Sequence, residues 1–181
     1  RGNKNVALPG NNSVGNTHRS ISKKRDTFIY HERDAAPAAY RILKGAILLT
    51  KLTDTGHSRG FGIVRQGEIF GEETFEGISR QHTAQALEDL EVEILDASDI
   101  TEALAHAYRR SILVQTMSLL STLKRVQFIV QTYGRTSLRI LDIATLAWCT
   151  RETTTRILLN TYELSIRNSQ VITKNKVESG R

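Results

Sequence analysis

Cys149-Thr150-Arg151-Glu152-Thr153-Thr154-Thr155-Arg156-Ile157-Leu158 is the stretch on which the reading of this chain turns. Thr150 is a good N-cap, because its hydroxyl can accept from a free N–H of a helix's first turn. Arg151, Glu152 and Thr155 then fall in the first turns of a helix. Arg156 lies four to five positions beyond Arg151 and Glu152 and so shares their face. Ile157 and Leu158 turn inward. Upstream, Ile143, Ala144 and Leu146 supply the apolar side of a preceding helix over Ser137–Ala147, and only Trp148-Cys149 separates it from the next, Thr150–Tyr162. Two short helices joined in this way have the layout of a helix-turn-helix. The second offers arginine to guanine O6 and N7, and glutamate to cytosine N4, at the end where base edges are reached. Base contacts are therefore assigned to Arg151, Glu152 and Arg156. Phosphate contacts are assigned to Thr150, Thr153, Thr155, Arg135, Arg139 and Lys174, with Arg167 and Lys176 close by in sequence. A solvated Arg/Glu helix surface is the bland alternative. The order of the whole run, after an Ile-Ala-x-Leu helix, favours DNA.

The distribution of charge points the same way. The net +6 divides into +6 over residues 1–25, −7 over residues 26–100 and +7 over residues 101–181. An acidic middle ahead of a basic C-terminal part suggests two modules, the second with a polyanionic partner. Residues 1–25 are rich in Gly, Asn, Ser and basic side chains. They cannot bury enough apolar surface to offset their ordering entropy, so a flexible basic tail is expected.

Residues 26–95 read as β. Short alternating runs recur between turn signals: Thr27–Tyr30, Tyr40–Leu43, Ala46–Leu52, Gly60–Arg65, Glu68–Phe70, Thr83–Leu87 and Val92–Leu95. Strands at this spacing suggest a closed antiparallel roll or sandwich, with Gly71–Gly77 as a short helical turn inside it. From Ala97 the period lengthens to that of a helix. Ile112, Thr116, Leu119, Leu123, Val126 and Val130 step by 4, 3, 4, 3, 4, the spacing of a two-helix seam. Leu113, Met117 and Leu120 form a second stripe beside it. One stripe is expected to pack on the roll and the other to meet a second copy of the chain. Tyr133-Gly134 ends this helix, and Ser165–Thr173 reads as a small strand pair turning at Arg167-Asn168-Ser169.

With these motifs in place, the chain resembles the superfamily of the cyclic-AMP receptor protein and the fumarate–nitrate reductase regulator, the Crp-Fnr superfamily. Ile143–Leu158 is similar to its helix-turn-helix. Tyr40-Arg41-Ile42-Leu43-Lys44-Gly45 resembles its hairpin. Gly67-Glu68-Ile69-Phe70-Gly71-Glu72 resembles its cassette, and Thr83-Ala84-Gln85-Ala86 with Val92-Glu93-Ile94-Leu95 fits the strands that follow. The resemblance implies an α+β chain: a flexible tail over 1–25, a cyclic-nucleotide-binding-like antiparallel β-roll over 26–106, a long dimerisation helix over 107–133, and a winged helix-turn-helix over 134–181. It implies a homodimeric transcription regulator, an activator by expectation, that reads a palindromic promoter site and touches RNA polymerase. The chain departs from the pattern in four places. Trp148 stands where a small residue is usual, Thr154 where an apolar one is usual, the stretch Tyr133–Asp142 before the helix-turn-helix is short, and the wing is abbreviated.

The resemblance also implies an effector pocket at Gly71, Glu72, Arg80 and Gln81, where relatives hold a cyclic nucleotide. Here the residue after Arg80 is Gln81 rather than serine, Glu73 adds a carboxylate, and a gap-free count puts Arg125 and Val126 where adenine-facing hydroxyls are expected. Cyclic AMP is therefore not favoured as a cofactor, and Glu72 and Arg80 are expected to pair with each other. Cys149 is the single cysteine, which excludes an all-cysteine cluster or zinc site within one chain and suits a reducing cytoplasm. The five histidines show no ligand spacing, and no apolar run approaches a membrane span. Two other classes compete: a small-molecule sensor with a degenerate DNA-binding part, and a metal-dependent enzyme on a related barrel. The second lacks clustered ligands.

Overall fold

A computed structural model describes residues 19–134, 138–161, 164–167 and 170–173. The expected phosphate contacts Arg135 and Lys174 lie outside these residues, as do residues 1–18 of the tail and Asn168-Ser169 of the expected turn. The N-terminal part is built from β1 (Ser20–Lys23), β2 (Phe28–Tyr30), β3 (Ala39–Lys44), β4 (Ala46–Leu52), β5 (Ser58–Arg65), β6 (Ile69–Phe70), the short helix α1 (Glu73–Glu76), β7 (Thr83–Ala86) and β8 (Leu90–Leu95). They form two four-stranded sheets, β1-β8-β3-β6 and β2-β7-β4-β5, with antiparallel pairing throughout. The antiparallel roll is thus present with one strand more than expected. Ser20–Lys23, assigned to the tail, pairs with β8 in the register Ile21↔Val92. Its sequence offers only one large apolar side chain, so it carries little strand signal of its own; the free edge of β8 supplies the template.

The two inner faces interleave around Tyr30, Ile42, Ile47, Leu49, Val64, Phe70, Ala84 and Val92. The period of two along β4 sends Ile47 and Leu49 into this core and Ala46 and Leu48 to the opposite face. That is why Ala46–Leu49 reads as an unbroken apolar run: the strand is covered on both sides. The outer cover is the C-terminal part of the chain.

The single helix expected over residues 107–133 is two helices. α2 spans Ile100–Ser118 and α3 spans Thr122–Tyr133, with Leu119-Leu120-Ser121 between them. Hydroxyls mark the break. Thr116 and Ser118 turn their side chains back onto the carbonyls of Ile112 and Gln115, and Ser121 caps α3 by accepting the Lys124 N–H. Arg125 then takes the Leu120 carbonyl at 2.6 Å, satisfying one of the acceptors left at the end of α2.

The break divides the expected seam. Val126 and Val130 are buried in the chain's own core with Ile129 and Tyr133, while Ile112, Thr116, Leu119 and Leu123 stay exposed, Leu119 at 87%. The 4-3-4-3-4 spacing therefore serves two different surfaces. α4 (Ile140–Ala147) and α5 (Arg151–Thr161) follow, then the two-stranded ribbon β9 (Leu164–Arg167) and β10 (Gln170–Thr173). Met117, Ile129, Ile143, Leu146 and Leu158 pack together against Ala46, Leu48, Ile63 and Leu87 of the sheets. Burying each of the larger side chains is worth roughly 1.5–3 kcal/mol.

Candidate nucleic-acid interface and effector pocket

Asp142 caps α4 by accepting the Arg139 N–H at 2.8 Å. Thr150 caps α5: its hydroxyl accepts the Thr153 N–H at 3.2 Å, as the sequence reading requires. Leu158 and Thr154 point into the core and Ile157 packs against it. The buried Thr154 hydroxyl is satisfied, donating to the Thr150 carbonyl at 3.1 Å and lying 3.2 Å from Cys149 Sγ. The departure at Thr154 thus leaves no orphaned polar group. The opposite face of α5 carries Arg151, Glu152, Arg156, Leu159 and Asn160, all exposed, with Thr153 and Thr155 half-buried at its edges. Arg151, Glu152, Thr155 and Arg156 line one open concave surface. The Glu152 carboxyl is held below its ordinary value, first by its own backbone N–H and then by the Thr150 hydroxyl.

Arg139 is placed differently from its expected neighbours. Its guanidinium grips Asp26 at 2.7 and 3.2 Å and reaches Asp142 at 3.3 Å. It is committed to carboxylates of its own chain and joins α4 to the N-terminal sheets. Trp148 makes a second join. It ends α4 in a left-handed conformation (φ 55°), its indole N–H donates to the Gly60 carbonyl at 2.9 Å, and the guanidinium carbons of Arg125 and Arg59 lie 5.3 and 5.9 Å from its ring centre. Gly60 lets the elements close: a Cβ there would stand 2.9 Å from the Leu146 backbone.

The four residues of the expected effector pocket are brought near one another, with different partners from those expected. Glu72 pairs with Arg110 of α2, both oxygens at 2.9 Å from Nη2, and not with Arg80. Arg80 is 1% exposed and turns inward. It donates to the carbonyls of Gly71, at 3.0 Å, and Ala38, faces Glu73 Oε2 at 3.4 Å, and lies 4.1 Å over the Tyr30 ring. Gly71 has φ 82°, and a Cβ on it would stand 2.6 Å from Arg80 Nη1, so this turn requires glycine. Gln81 gives its backbone N–H to Glu73 Oε1 at 3.0 Å, while its side chain is exposed. Burial pushes the Glu73 carboxyl up, but His82, the Gln81 N–H and the Arg80 charge outweigh it and hold the group at about 2.

Beside this cluster a cavity of about 310 Å³ opens between the sheets and α2, lined by Leu49, Phe61, His82, Ala107, Arg110 and Val114. Arg125, counted into adenine range, is instead on α3 with its Nε on the Ala147 carbonyl at 2.8 Å. Val126 is in the C-terminal core. The count fails because it carries one helix through the Leu119–Ser121 break. Arg110, Glu73 and the Trp148–Gly60 join are the site features that sequence reasoning missed or left open. Only Glu73 and Trp148 carried a signal, each as a departure from the family's residue. Among the described residues no group of three His, Cys, Asp or Glu side chains is placed to hold a metal ion, and no helix is long and apolar enough to cross a membrane.

Comparison with known proteins agrees with this architecture. The family described as "Cyclic nucleotide-binding domain" matches residues 21–107. The transcriptional regulator SdrP of Thermus thermophilus is 34% identical over 83 residues, 40% of this chain and 41% of SdrP, so the match spans about two fifths of that relative's length. Among solved structures, FixK2 of Bradyrhizobium japonicum superposes with a TM-score of 0.71 at 22% identity, covering 88% of this chain and 93% of FixK2. A transcriptional regulator of the CRP/FNR family from Thermus thermophilus gives 0.74 at 19% identity, covering 87% and 94%. These two likenesses are of fold. Residues 21–107 thus resemble a cyclic nucleotide-binding domain, and the chain shares the fold of these solved structures.

Proposed function

We propose that the chain is a sequence-specific DNA-binding transcription regulator that acts as a homodimer and needs no cyclic AMP. The observation that carries this reading is the exposed face of α5. Arg151, Glu152 and Arg156 stand clear of the protein at the N-terminal half of a helix whose other face is anchored by Thr154 and Leu158. Held there, they can reach base edges in a major groove. Thr150, Thr153 and Thr155 are suited to phosphates at its rim. Arg139 joins them only by giving up Asp26, so its contribution is smaller than the sequence alone suggests. A palindromic site, activation through RNA polymerase and a cytoplasmic location belong to this reading. Dimerisation is assigned to α2, where Leu104, Tyr108, Ile112 and Leu119 are exposed apolar groups. Leu104, Tyr108 and Ile112 fall within about 80° of arc at 100° per residue, and Leu119 follows at the helix's C-cap. Independence from cyclic AMP is supported by the inward turn of Arg80 and the pairing of Glu72 with Arg110. The test is selection of bound fragments from a random duplex pool without added nucleotide. Recovery of one symmetric motif is expected; recovery of no motif, or of one only with cyclic AMP present, would overturn the reading.

A second reading has one observation in its favour, the cavity beside Phe61 and Arg110. A small effector other than cyclic AMP could act there, provided it binds the DNA-competent form more tightly than the other. Titration of DNA affinity against candidate ligands separates the two.

A further inference from the structure

Leu159 is the apolar member of an otherwise polar helix face. The core side of α5 is set by Thr154 and Leu158, both buried, with Ile157 half-buried beside them. Counted from Arg151 at 100° per residue, Thr155 falls at about 40°, Leu159 at about 80°, Glu152 at about 100° and Arg156 at about 140°. Leu159 therefore stands in the middle of the arc turned away from the core, with an arginine to either side. It is 56% exposed and shares one open concave surface with Arg151, Glu152, Thr155 and Arg156. A single exposed leucine is ordinary on most surfaces. This one lies at the centre of the face to which base reading is assigned, where an apolar group selects among partners.

The chemistry of base edges narrows the choice. Leucine neither donates nor accepts a hydrogen bond. Against guanine, adenine or cytosine it would strip water from donors and acceptors and replace none of the bonds lost. The C5 methyl of thymine is the one apolar group that the four bases present in the major groove. Leu159 also lies about 4.5 Å further along the helix axis than Arg156. Successive bases on a strand are about 3.4 Å apart, so the two side chains meet different, neighbouring base pairs.

We propose that Leu159 is a specificity-determining residue that reads the C5 methyl of a thymine beside the guanine read by Arg156. The inference rests on the assignment of α5 to a major groove. It adds a preference for thymine at a position where the protein makes no hydrogen bond.

The experiment uses the duplex motif that the full chain selects from a random pool. Each thymine in turn is replaced, in both half-sites, by deoxyuridine, which lacks only the C5 methyl. Kd is then measured for wild type and for Leu159→Ala. For wild type, one thymine per half-site is expected whose replacement weakens binding about fourfold for each half-site altered, the factor that one buried methyl-sized group supplies. Leu159→Ala should bind the thymine duplex more weakly than wild type and bind its thymine and uracil forms alike. Replacement of the other thymines should affect both proteins equally. Leu159 is exposed, so the variant is expected to keep the wild-type Tm; the uracil series on wild type needs no variant at all. A motif without thymine, a wild type indifferent to every thymine methyl, or a methyl dependence that survives in Leu159→Ala overturns the inference. A pool that yields no motif sinks the assignment of α5 to DNA, and this inference with it. A motif read without regard to thymine methyls sinks this inference alone.

Discussion

At the scale of single residues, Arg156 and Glu73 stand at opposite extremes of exposure. Arg156 is exposed on α5 and free to pair with guanine, so Arg156→Ala is predicted to cost roughly 1–3 kcal/mol at the preferred site. It should relax the choice at one base pair per half-site. A binding-site selection repeated with the variant measures this, and an unchanged motif would show that Arg156 does not read bases. Glu73 is the opposite case. Its carboxyl sits at about 2, below the ordinary 4.5, so the unfolded chain binds more protons than the folded one between those values. The stability it contributes is complete above about 4.5 and is lost as pH falls towards 2. Glu73→Gln has no carboxyl to protonate. Its Tm is therefore predicted to fall less than that of wild type between pH 5 and pH 3, and equal slopes would contradict the assignment.

Elements carry the next set of consequences. The exposed stripe of α2 predicts that Ile112→Lys with Leu119→Lys gives a monomer in sedimentation, since like charges would face each other across the seam. A dimer of unchanged mass would move the interface elsewhere. Leu123, counted in the same heptad series, lies beyond the Leu119–Ser121 break and is expected to matter less. The contrast marks what was legible beforehand. Strand positions were readable from short runs between turn signals, with Ala46–Leu52 matching β4 at both ends. Helix α5 was readable from its cap and its polar face. The helix break was not, because Thr116, Ser118 and Ser121 fit a helical period as well as they fit a cap, and only the pull of Val126 and Val130 into a second core decides between them. The edge strand Ser20–Lys23 was hidden for a similar reason: its pairing is supplied by β8, distant in sequence. The partners of Arg110 and Arg139 lie 38 and 113 positions away, and such distances leave no local pattern.

At the scale of the molecule, the charge asymmetry has a measurable outcome. The basic C-terminal part should make DNA affinity fall steeply with salt, with a slope of roughly −0.9 for each phosphate neutralised. A salt-independent affinity would remove DNA as the partner of this surface. The Trp148–Gly60 hydrogen bond and the Leu146 contact have another outcome, thermodynamic rather than electrostatic. Because Ala46, Leu48, Ile63 and Leu87 of the sheets share one core with Ile129, Ile143, Leu146 and Leu158 of the helices, neither part can melt without exposing the other. Calorimetry should therefore record one endotherm whose van't Hoff and calorimetric enthalpies agree, not two transitions. Gly60→Val, whose branched side chain would stand against the Leu146 backbone, should uncouple the halves and split that endotherm. The seating of α4, and through it of α5, is then tied to strand β5, so substitutions on that sheet are expected to alter how the proposed DNA-reading face is presented.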